Sequence, residues 1–278
     1  MKQWNRKEIV ALLEESGRIA MHYKNDMAAE QKGDKTIVTK ADRAIEAFLD
    51  EALTRGETDV YIIGEESLKD CQLEKALANT AFIIDPIDGT AVYAAGFSMW
   101  GISIGYAVNG KLQEGAIYLP DSQELMITDN GETFLRVGDQ NEFQKVEPPR
   151  KVQRAGNAVA VCQKVLKYGE MDMPGLIQAI GSCVFPGVYM AKQSYQAGVV
   201  QANLWDVAGF LAALKNLGFC SKNRQGTDLM SLEISEELYS MKPAEGKILL
   251  KCCNVIAYTE EFCDEILSCA IFPEDKKK

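Results

Sequence analysis

The feature that most constrains the fold of this chain is a short, wholly apolar run that stops at a proline. Ala81-Phe82-Ile83-Ile84 is followed at once by Asp85-Pro86. A run of this kind predicts a buried strand. Since proline cannot donate to the ladder of a central strand, we expect the chain to turn there. The strand therefore delivers the Asp85 carboxylate at its end.

Other elements of the N-terminal half can be predicted from periodicity and turn residues. Apolar residues recur at the helical period over 8–23 and 41–53, and Thr39 signals the start of the second helix. The polar stretch between them, 25–35, is expected to be a mobile loop. A strand over 59–64 ends in the acidic pair Glu65-Glu66. Further on, Asn109-Gly110 predicts a tight hairpin between two strands.

A polar stretch with Pro148-Pro149 marks a predicted boundary near 145–155. We therefore divide the chain into an N-terminal part, 1–150, and a C-terminal part, 151–278. The second part is expected to contain strands at 157–162, 248–250 and 254–258. Its helix over 204–217 carries Trp205-Asp206 in the first turn.

Composition excludes several classes of function. The formal charge of -10 argues against binding to a nucleic-acid backbone, and no run approaches the roughly 18 apolar residues of a membrane span, so we expect a cytoplasmic protein. The eight cysteines form no C-x-x-C pair, which indicates reduced thiols rather than disulfides or a zinc site. The one histidine, His22, has no nucleophile motif near it. Catalysis would therefore have to use carboxylates.

The segment Asp85-Pro86-Ile87-Asp88-Gly89-Thr90 combines the groups that a metal and a phosphate require. Two carboxylates and the Ile87 carbonyl are hard oxygen ligands of the kind that Mg2+ prefers. Gly89 lets the backbone approach an anion closely, and N–H groups there and at Thr90 can hold phosphate oxygens. The alternative is a β-turn with surface aspartates. Two more acidic element ends, Glu65-Glu66 and Trp205-Asp206, favour a shared site.

Three motifs in this order resemble the signature set of the inositol monophosphatase family, a family of lithium-sensitive, Mg2+-dependent phosphatases. They are Gly64-Glu65-Glu66, Asp85 to Thr90, and Trp205-Asp206-Val207-Ala208-Gly209. The similarity continues through Ser103 to Val108 and through Gly181-Ser182-Cys183. The resemblance implies a layered αβαβα sandwich of the sugar-phosphatase type, with an α+β part over 1–150 and an α/β part over 151–278. It also implies a homodimer.

The resemblance implies a role for each matching residue. Glu65, Asp85 and the Ile87 carbonyl match the ligands of one Mg2+, and Asp85, Asp88 and Asp206 match those of a second. A third, weaker ion would share Glu65 with waters; Mn2+ is expected to substitute, and Li+ and Ca2+ to inhibit. Asp42 matches an aspartate that acts with the equivalent of Thr90 to deprotonate the attacking water. Asp42 equally fits a capping arrangement with Thr39, and both roles can hold.

The chain departs from the family on the substrate side. Where inositol-specific members carry a glutamate before the Trp205-Asp206 pair, this chain has Val199-Val200-Gln201 and no acid. Valine cannot accept a hydroxyl proton, so only Gln201 and Asn203 could partly replace the acid. Glu66 is expected either to support the ligands from behind or to be solvated.

The sequence therefore leaves the identity of the substrate undetermined. A small phosphate monoester, such as an inositol 1-phosphate-like polyol or sugar phosphate, is the leading hypothesis. The alternatives are adenosine 3',5'-bisphosphate or fructose 1,6-bisphosphate, and a regulatory homologue that binds metal without turnover.

Overall fold

The computed structural model describes residues 2–24, 30–31, 37–138, 140, 142–149 and 158–277. The predicted mobile loop over 25–35 lies almost entirely outside these residues, as does much of the predicted boundary. Within the described residues there are eight α-helices: α1 (Arg6–Tyr23), α2 (Lys40–Thr54), α3 (Leu73–Ala78), α4 (Thr90–Ala94), α5 (Gln163–Tyr168), α6 (Val184–Ala191), α7 (Leu204–Asn216) and α8 (Glu260–Cys269). Short 3-10 turns lie at Leu68–Asp70, Leu229–Ser231, Pro243–Glu245 and Asp275–Lys277.

The strands of the first half form a small ribbon and a large sheet. The ribbon pairs β1 (Glu30–Gln31) with β2 (Ile37–Val38). The seven-stranded sheet follows chain order: β3 (Val60–Gly64), β4 (Thr80–Asp88), β5 (Gly101–Val108), β6 (Lys111–Leu119), β7 (Glu124–Asp129), β8 (Glu132–Val137) and β9 (Gln144–Lys145). Only the β3–β4 pair is parallel. The predicted hairpin joins β5 to β6, with Asn109 and Gly110 both at positive φ, as its tight turn requires.

The strands of the second half are β10 (Ala158–Val161), β11 (Glu170–Met171), β12 (Leu176–Gln178), β13 (Ala197–Val200), β14 (Cys220–Lys222), β15 (Tyr239–Lys242), β16 (Lys247–Leu250), β17 (Asn254–Ala257) and β18 (Ala270–Ile271). A five-stranded sheet has the order β12-β10-β13-β17-β14. Its first three strands are parallel, and β17 is antiparallel to both neighbours. The remaining strands form the pairs β11–β18 and β15–β16.

Alternating side chains of the two sheets define the layers. In β4, Phe82 and Ile84 pack with α1 and α2, whereas Ile83 packs with α6 and α7 on the other face. In the five-stranded sheet, Val200 faces that same helical layer, and Val199 faces α5 and α8. The order is therefore helix, sheet, helix, sheet, helix, and the predicted αβαβα sandwich is confirmed.

The prediction that the chain turns at Pro86 was wrong. β4 continues through Asp85 and Pro86 to Asp88, and its register against β5 shifts between Asp85 and Asp88. Three steps along β4 there match two along β5, where Ser103 and Gly101 are the partners. Because a bulge leaves one residue without ladder bonds, proline is tolerated inside this strand. The bulge keeps both aspartates within the sheet.

No helix among the described residues is both long and apolar enough to cross a bilayer. All eight cysteines are free thiols.

Candidate metal and phosphate site

A pocket of about 480 Å³ contains most of the predicted site residues. Its acidic wall, the name used here for the lining residues in or next to β3, β4, α4 and α7, consists of Glu65, Asp85, Ile87, Asp88, Gly89, Thr90, Ala91 and Asp206. Its C-terminal wall consists of Cys162, Gln163, Lys164, Gln201, Ala202, Asn203 and Leu249. Gly181-Ser182-Cys183 complete the lining beside Asp88. One pocket thus joins residues from both sheets.

Three aspartates of the acidic wall converge. Asp85 and Asp88 come from the bulged end of β4, and Asp206 comes from the first turn of α7. Each offers one carboxylate oxygen, and these oxygens all lie within 4.8 Å of one another. Like charges at this spacing repel strongly in a buried environment. The cluster therefore needs protons or cations.

Asp85 is the member of the cluster whose charge is least compensated by hydrogen bonds. Its side chain is 1% exposed, and neither carboxylate oxygen has a hydrogen-bond donor among the described residues. Burial, followed by the charges of Glu65, Asp88 and Asp206, holds the pKa of Asp85 well above its usual range. A buried carboxylate without donors is very unfavourable unless a cation or a proton compensates it. Asp85 is therefore the residue that most clearly fits a metal ligand.

Asp88 has partners on one oxygen only. Its Oδ2 accepts hydrogen bonds from the Ser182 hydroxyl, from the Cys183 N–H at 2.7 Å and from the Val184 N–H at 2.8 Å. Burial raises the pKa of Asp88 to about 6, although these hydrogen bonds act in the opposite direction. Because all three donors use Oδ2, Oδ1 remains for the cluster.

Asp206 is fixed by the start of its own helix. The N–H of Asn203, the residue before α7, donates to Asp206 Oδ2 at 2.7 Å. Burial, and then the charge of Asp88, raise the pKa of Asp206 to about 7. A carboxylate in the first turn is favoured by the helix dipole, so the local structure supports the same orientation that the cluster needs.

Asp42 and Thr90 meet beside the cluster. Asp42 Oδ2 accepts from the Thr39 N–H at 2.8 Å, and the Asp42 N–H donates to the Thr39 hydroxyl oxygen at 3.4 Å; these two bonds form the predicted capping box of α2. The Thr39 hydroxyl also donates to Asp42 Oδ2 at 2.5 Å. The Thr90 hydroxyl lies 3.2 Å from Asp42 Oδ1 and 3.0 Å from the Ile87 carbonyl oxygen. Burial raises the pKa of Asp42. Capping and contact with Thr90 therefore coexist, each on its own oxygen.

The remaining predicted residues differ in whether they line the pocket. Glu65 lines the pocket, and Gly89, at φ 87°, forms the turn into α4. Glu66 is not among the lining residues; its N–H donates to Glu46 at 2.9 Å. Val200 is buried in the core, and the Gln201 amide donates to the Leu250 and Lys251 carbonyls at 3.2 Å. His22 is exposed on α1.

Three residues to which the sequence analysis assigned no role also contact or support the site. They are Glu46 on α2, Ser182 beside Asp88, and Lys164 on the C-terminal wall. A sequence signal existed for the first: Glu46 lies one helical turn after Asp42, on a helix whose buried face is otherwise apolar. Ser182 lies in the matching segment Gly181-Ser182-Cys183, but its contact with Asp88, like the position of Lys164, depends on packing between distant segments.

The donor set fits divalent cations. Among the described residues, the three-aspartate cluster offers carboxylate oxygens and Ile87 adds a backbone carbonyl in the same pocket; these are the hard ligands that Mg2+ and similar ions prefer. Cys162 and Cys183 line the pocket but do not belong to the cluster. The Asp85 carboxylate, which has no hydrogen-bond partner among the described residues, is the group that most needs such ions. The pocket is therefore suited to hold cations against a phosphate.

Comparison with known proteins agrees with this geometry. The model of the inositol monophosphatase family matches residues 6–243. Inositol monophosphatase 3 of Solanum lycopersicum is 32% identical over 198 residues, 68% of this chain and 74% of that protein. A protein of Thermotoga maritima named fructose-1,6-bisphosphatase/inositol-1-monophosphatase is 26% identical over 213 residues, 75% of this chain and 80% of its own length.

The structure of inositol monophosphatase II from Staphylococcus aureus superimposes with a TM-score of 0.71 at 19% identity, covering 98% of this chain and 94% of that one. This likeness shows a shared fold. Fold and sequence together define a phosphoric monoester hydrolase. The chain belongs to the inositol monophosphatase family.

Proposed function

We propose that this chain is a Mg2+-dependent hydrolase of small phosphate monoesters, of the kind represented by inositol 1-phosphate and other polyol or sugar phosphates. The observation that carries the proposal is the Asp85 carboxylate, which is buried with no hydrogen-bond donor in the described part of the chain and faces Asp88 and Asp206. In an anionic chain, a dianionic phosphate ester can bind beside these carboxylates only if cations lie between them.

The residues that would hold the cations form two overlapping sets. Glu65, Asp85 and the Ile87 carbonyl form one set, and Asp85, Asp88 and Asp206 form the other; a third ion would share Glu65. When bound, the ions offset phosphoryl charge and make water a better nucleophile at neutral pH. Mn2+ is expected to replace Mg2+, with Li+ and Ca2+ as inhibitors.

In this proposal, Thr90 and Asp42 accept the proton that the attacking water gives up. The Thr90 hydroxyl can donate to Asp42 Oδ1 at 3.2 Å while its oxygen accepts a hydrogen bond from the attacking water. Asp42 is held by Thr39 and cannot swing away. The N–H groups of Gly89 and Thr90 are the proposed phosphate donors, since both residues line the pocket at the turn into α4.

The test is phosphate release by the full chain after treatment with EDTA, then with Mg2+ added back. We expect no turnover without the metal and turnover of at least one polyol or sugar phosphate with it; millimolar Li+ should inhibit. A chain that releases no phosphate from any ester tested with Mg2+ or Mn2+ would contradict the proposal. The expected homodimer and cytoplasmic location stay predictions.

A second candidate substrate class is favoured by the C-terminal wall. Lys164 is half-buried there and forms no ion pair or side-chain hydrogen bond with any described residue. This wall contains no carboxylate. An unpaired ammonium group can bind a second phosphate, as fructose 1,6-bisphosphate or adenosine 3',5'-bisphosphate would require. The name of the Thermotoga relative includes such a substrate.

Matched ester pairs separate the two classes. Fructose 1,6-bisphosphate is compared with fructose 1-phosphate, and adenosine 3',5'-bisphosphate with adenosine 3'-phosphate. If the bisphosphates are the substrates, Lys164→Gln should lower kcat/KM for them about tenfold or more, roughly the effect of one charge-assisted hydrogen bond. The monoesters should change little. Lys167→Gln, on the exposed side of α5, is the control. Equal effects on both members of each pair would favour the monoester class.

A further inference from the structure

Helix α2 places two carboxylates on its buried face, one turn apart. Asp42 is 0% exposed and Glu46 is 4% exposed. Asp42 contacts Thr90, as described above. Glu46 belongs neither to the three-aspartate cluster nor to the pocket lining. A buried carboxylate is retained in a core only where it has partners that compensate for lost solvation, so its partners show what it does.

The partners of Glu46 all belong to the turn that follows β3. Its Oε2 accepts from the Glu66 N–H at 2.9 Å, and its buried Oε1 has no hydrogen-bond donor among the described residues. Burial raises the pKa of Glu46, while the Ser67 side chain and the Glu66 N–H act to lower it. The same turn is tied to β4 because the Glu65 N–H donates to the Ile84 carbonyl at 3.2 Å. Glu65 is thus held between two anchors.

Gly64 shows how closely this carboxylate approaches the backbone. A Cβ added at Gly64 would lie 2.6 Å from the Glu46 carboxylate carbon, far inside van der Waals contact. A methyl group at Gly64 would therefore displace the Glu46 carboxylate, whereas the backbone conformation does not itself require glycine, since its φ is not in the left-handed region. Gly64 and Glu46 form one packing unit immediately before Glu65.

We propose that Glu46 is a positioning residue that fixes the turn from Gly64 to Ser67 and thereby aims the Glu65 carboxylate at the cation site. The inference rests on the proposed function in one respect, that Glu65 is a cation ligand. Metal ligands must lie within about 0.2 Å of ideal distances, so a turn that drifts loses affinity. Groups that orient ligands typically change metal affinity by about 10–100-fold when removed.

The first experiment measures Mg2+ binding to the metal-free full chain by calorimetry. Glu46→Gln should weaken Mg2+ binding about 10-fold or more, because the amide is a poorer acceptor for the N–H and hydroxyl donors of the turn. Glu51→Gln, exposed on the same helix, is the matched control and should bind as the wild type does. The Mg2+ concentration for half-maximal turnover should shift by the same factor. Unchanged Mg2+ affinity in Glu46→Gln would overturn the inference.

A double-mutant cycle on Mg2+ affinity separates the effect of the Gly64–Glu46 contact from a general loss of stability in either single variant. Gly64→Ala should weaken Mg2+ binding in the wild-type background, since its methyl group must displace the carboxylate. In the Glu46→Ala background the same methyl group meets no carboxylate, so the added effect should fall below about twofold. Strictly additive effects would overturn the inference.

Failure of the proposed function gives a different result. A wild-type chain that binds Mg2+ but hydrolyses no ester would sink the proposed function and leave the cycle measurable. A wild-type chain that binds no Mg2+ would overturn both.

Discussion

Asp88 contacts two parts of the structure, one with each of its carboxylate oxygens. Its Oδ2 accepts from the Ser182 hydroxyl and from the Cys183 and Val184 N–H groups at the start of α6, while Oδ1 remains for the cluster. The residue therefore connects β4 to α6 as well as taking part in the proposed site. Neutralising it should affect binding of cations more than folding, because an amide oxygen can still accept from the backbone.

Asp88→Asn tests this division. We expect Mg2+ affinity to fall at least about 100-fold and turnover to be nearly lost, while the free energy of unfolding without metal changes by less than about 1 kcal/mol. Calorimetry and urea unfolding measure the two quantities. A large loss of stability with unchanged Mg2+ affinity would show that Asp88 is a structural anchor only.

The Thr90 hydroxyl gives a second test at the residue scale. Thr90→Ala removes the group between Asp42 and the proposed water, and kcat should fall by about 10²–10⁴-fold. Thr90→Ser keeps the hydroxyl and should retain activity within about tenfold. Steady-state kinetics at saturating Mg2+ compare the two variants. Equal activity in Thr90→Ala and the wild type would remove Thr90 from the mechanism.

Among the elements, α7 packs closely on strands β5 and β6 of the large sheet. A Cβ at Gly105 on β5 would lie 2.6 Å from the Cβ of Ala208, and one at Gly115 on β6 would lie 2.6 Å from the Gly209 carbonyl oxygen. The backbone of α7 therefore lies directly against β5 and β6, with only the Ala208 methyl group between them at Gly105. This contact sets how closely the start of α7 approaches the sheet, and therefore the position of Asp206, which lies two residues before Ala208.

Gly105→Ala should push α7 away from the sheet. We expect a loss of about 1–3 kcal/mol in the free energy of unfolding, as for other overpacked sites, together with weaker Mg2+ binding through Asp206. Adding Ala208→Gly should restore part of both, because it removes the opposing methyl group. Urea unfolding and calorimetry follow the pair. If the second change restores neither quantity, the contact is not what positions α7.

Local sequence signals predicted most helices and strands, but they did not predict the course of the backbone at the site. Apolar periodicity predicted α1, α2 and α7, and Asn109-Gly110 predicted the β5–β6 turn. Pro86 was misinterpreted because a bulge, which depends on the partner strand β5, accommodates a proline that a regular ladder would exclude. Residues in motifs were found; Glu46 and Ser182 were missed as supports because their roles depend on contacts between segments far apart in the chain.

For the whole molecule, the carboxylate cluster links stability to pH. Burial raises the pKa values of Asp88 to about 6 and of Asp206 to about 7, above the ordinary aspartate value of 3.8. Between about pH 4 and pH 7, the metal-free folded chain therefore holds protons that the unfolded chain has released. Stability must fall as pH rises through this window, since the unfolded state binds fewer protons.

We expect the Tm of the metal-free chain to decrease from pH 5 to pH 8. Mg2+ competes with the protons, so the rise in Tm that it causes should be larger at pH 8 than at pH 5. At about 100 times its Kd the ion should stabilise by about 2.7 kcal/mol, or roughly 5 °C or more. Differential scanning fluorimetry with EDTA or Mg2+ measures this. A metal-free Tm that rises steadily over this pH range would contradict the account.

The two walls of the pocket come from different parts of the chain, and this division has an evolutionary consequence. The acidic wall depends on β3, β4 and α7, whereas the C-terminal wall lies mainly at the ends of β10 and β13. Substitutions at the ends of these two strands can change which leaving group is accepted without moving an aspartate. A lineage that starts from such a scaffold can diversify its substrates while the phosphate chemistry is inherited intact.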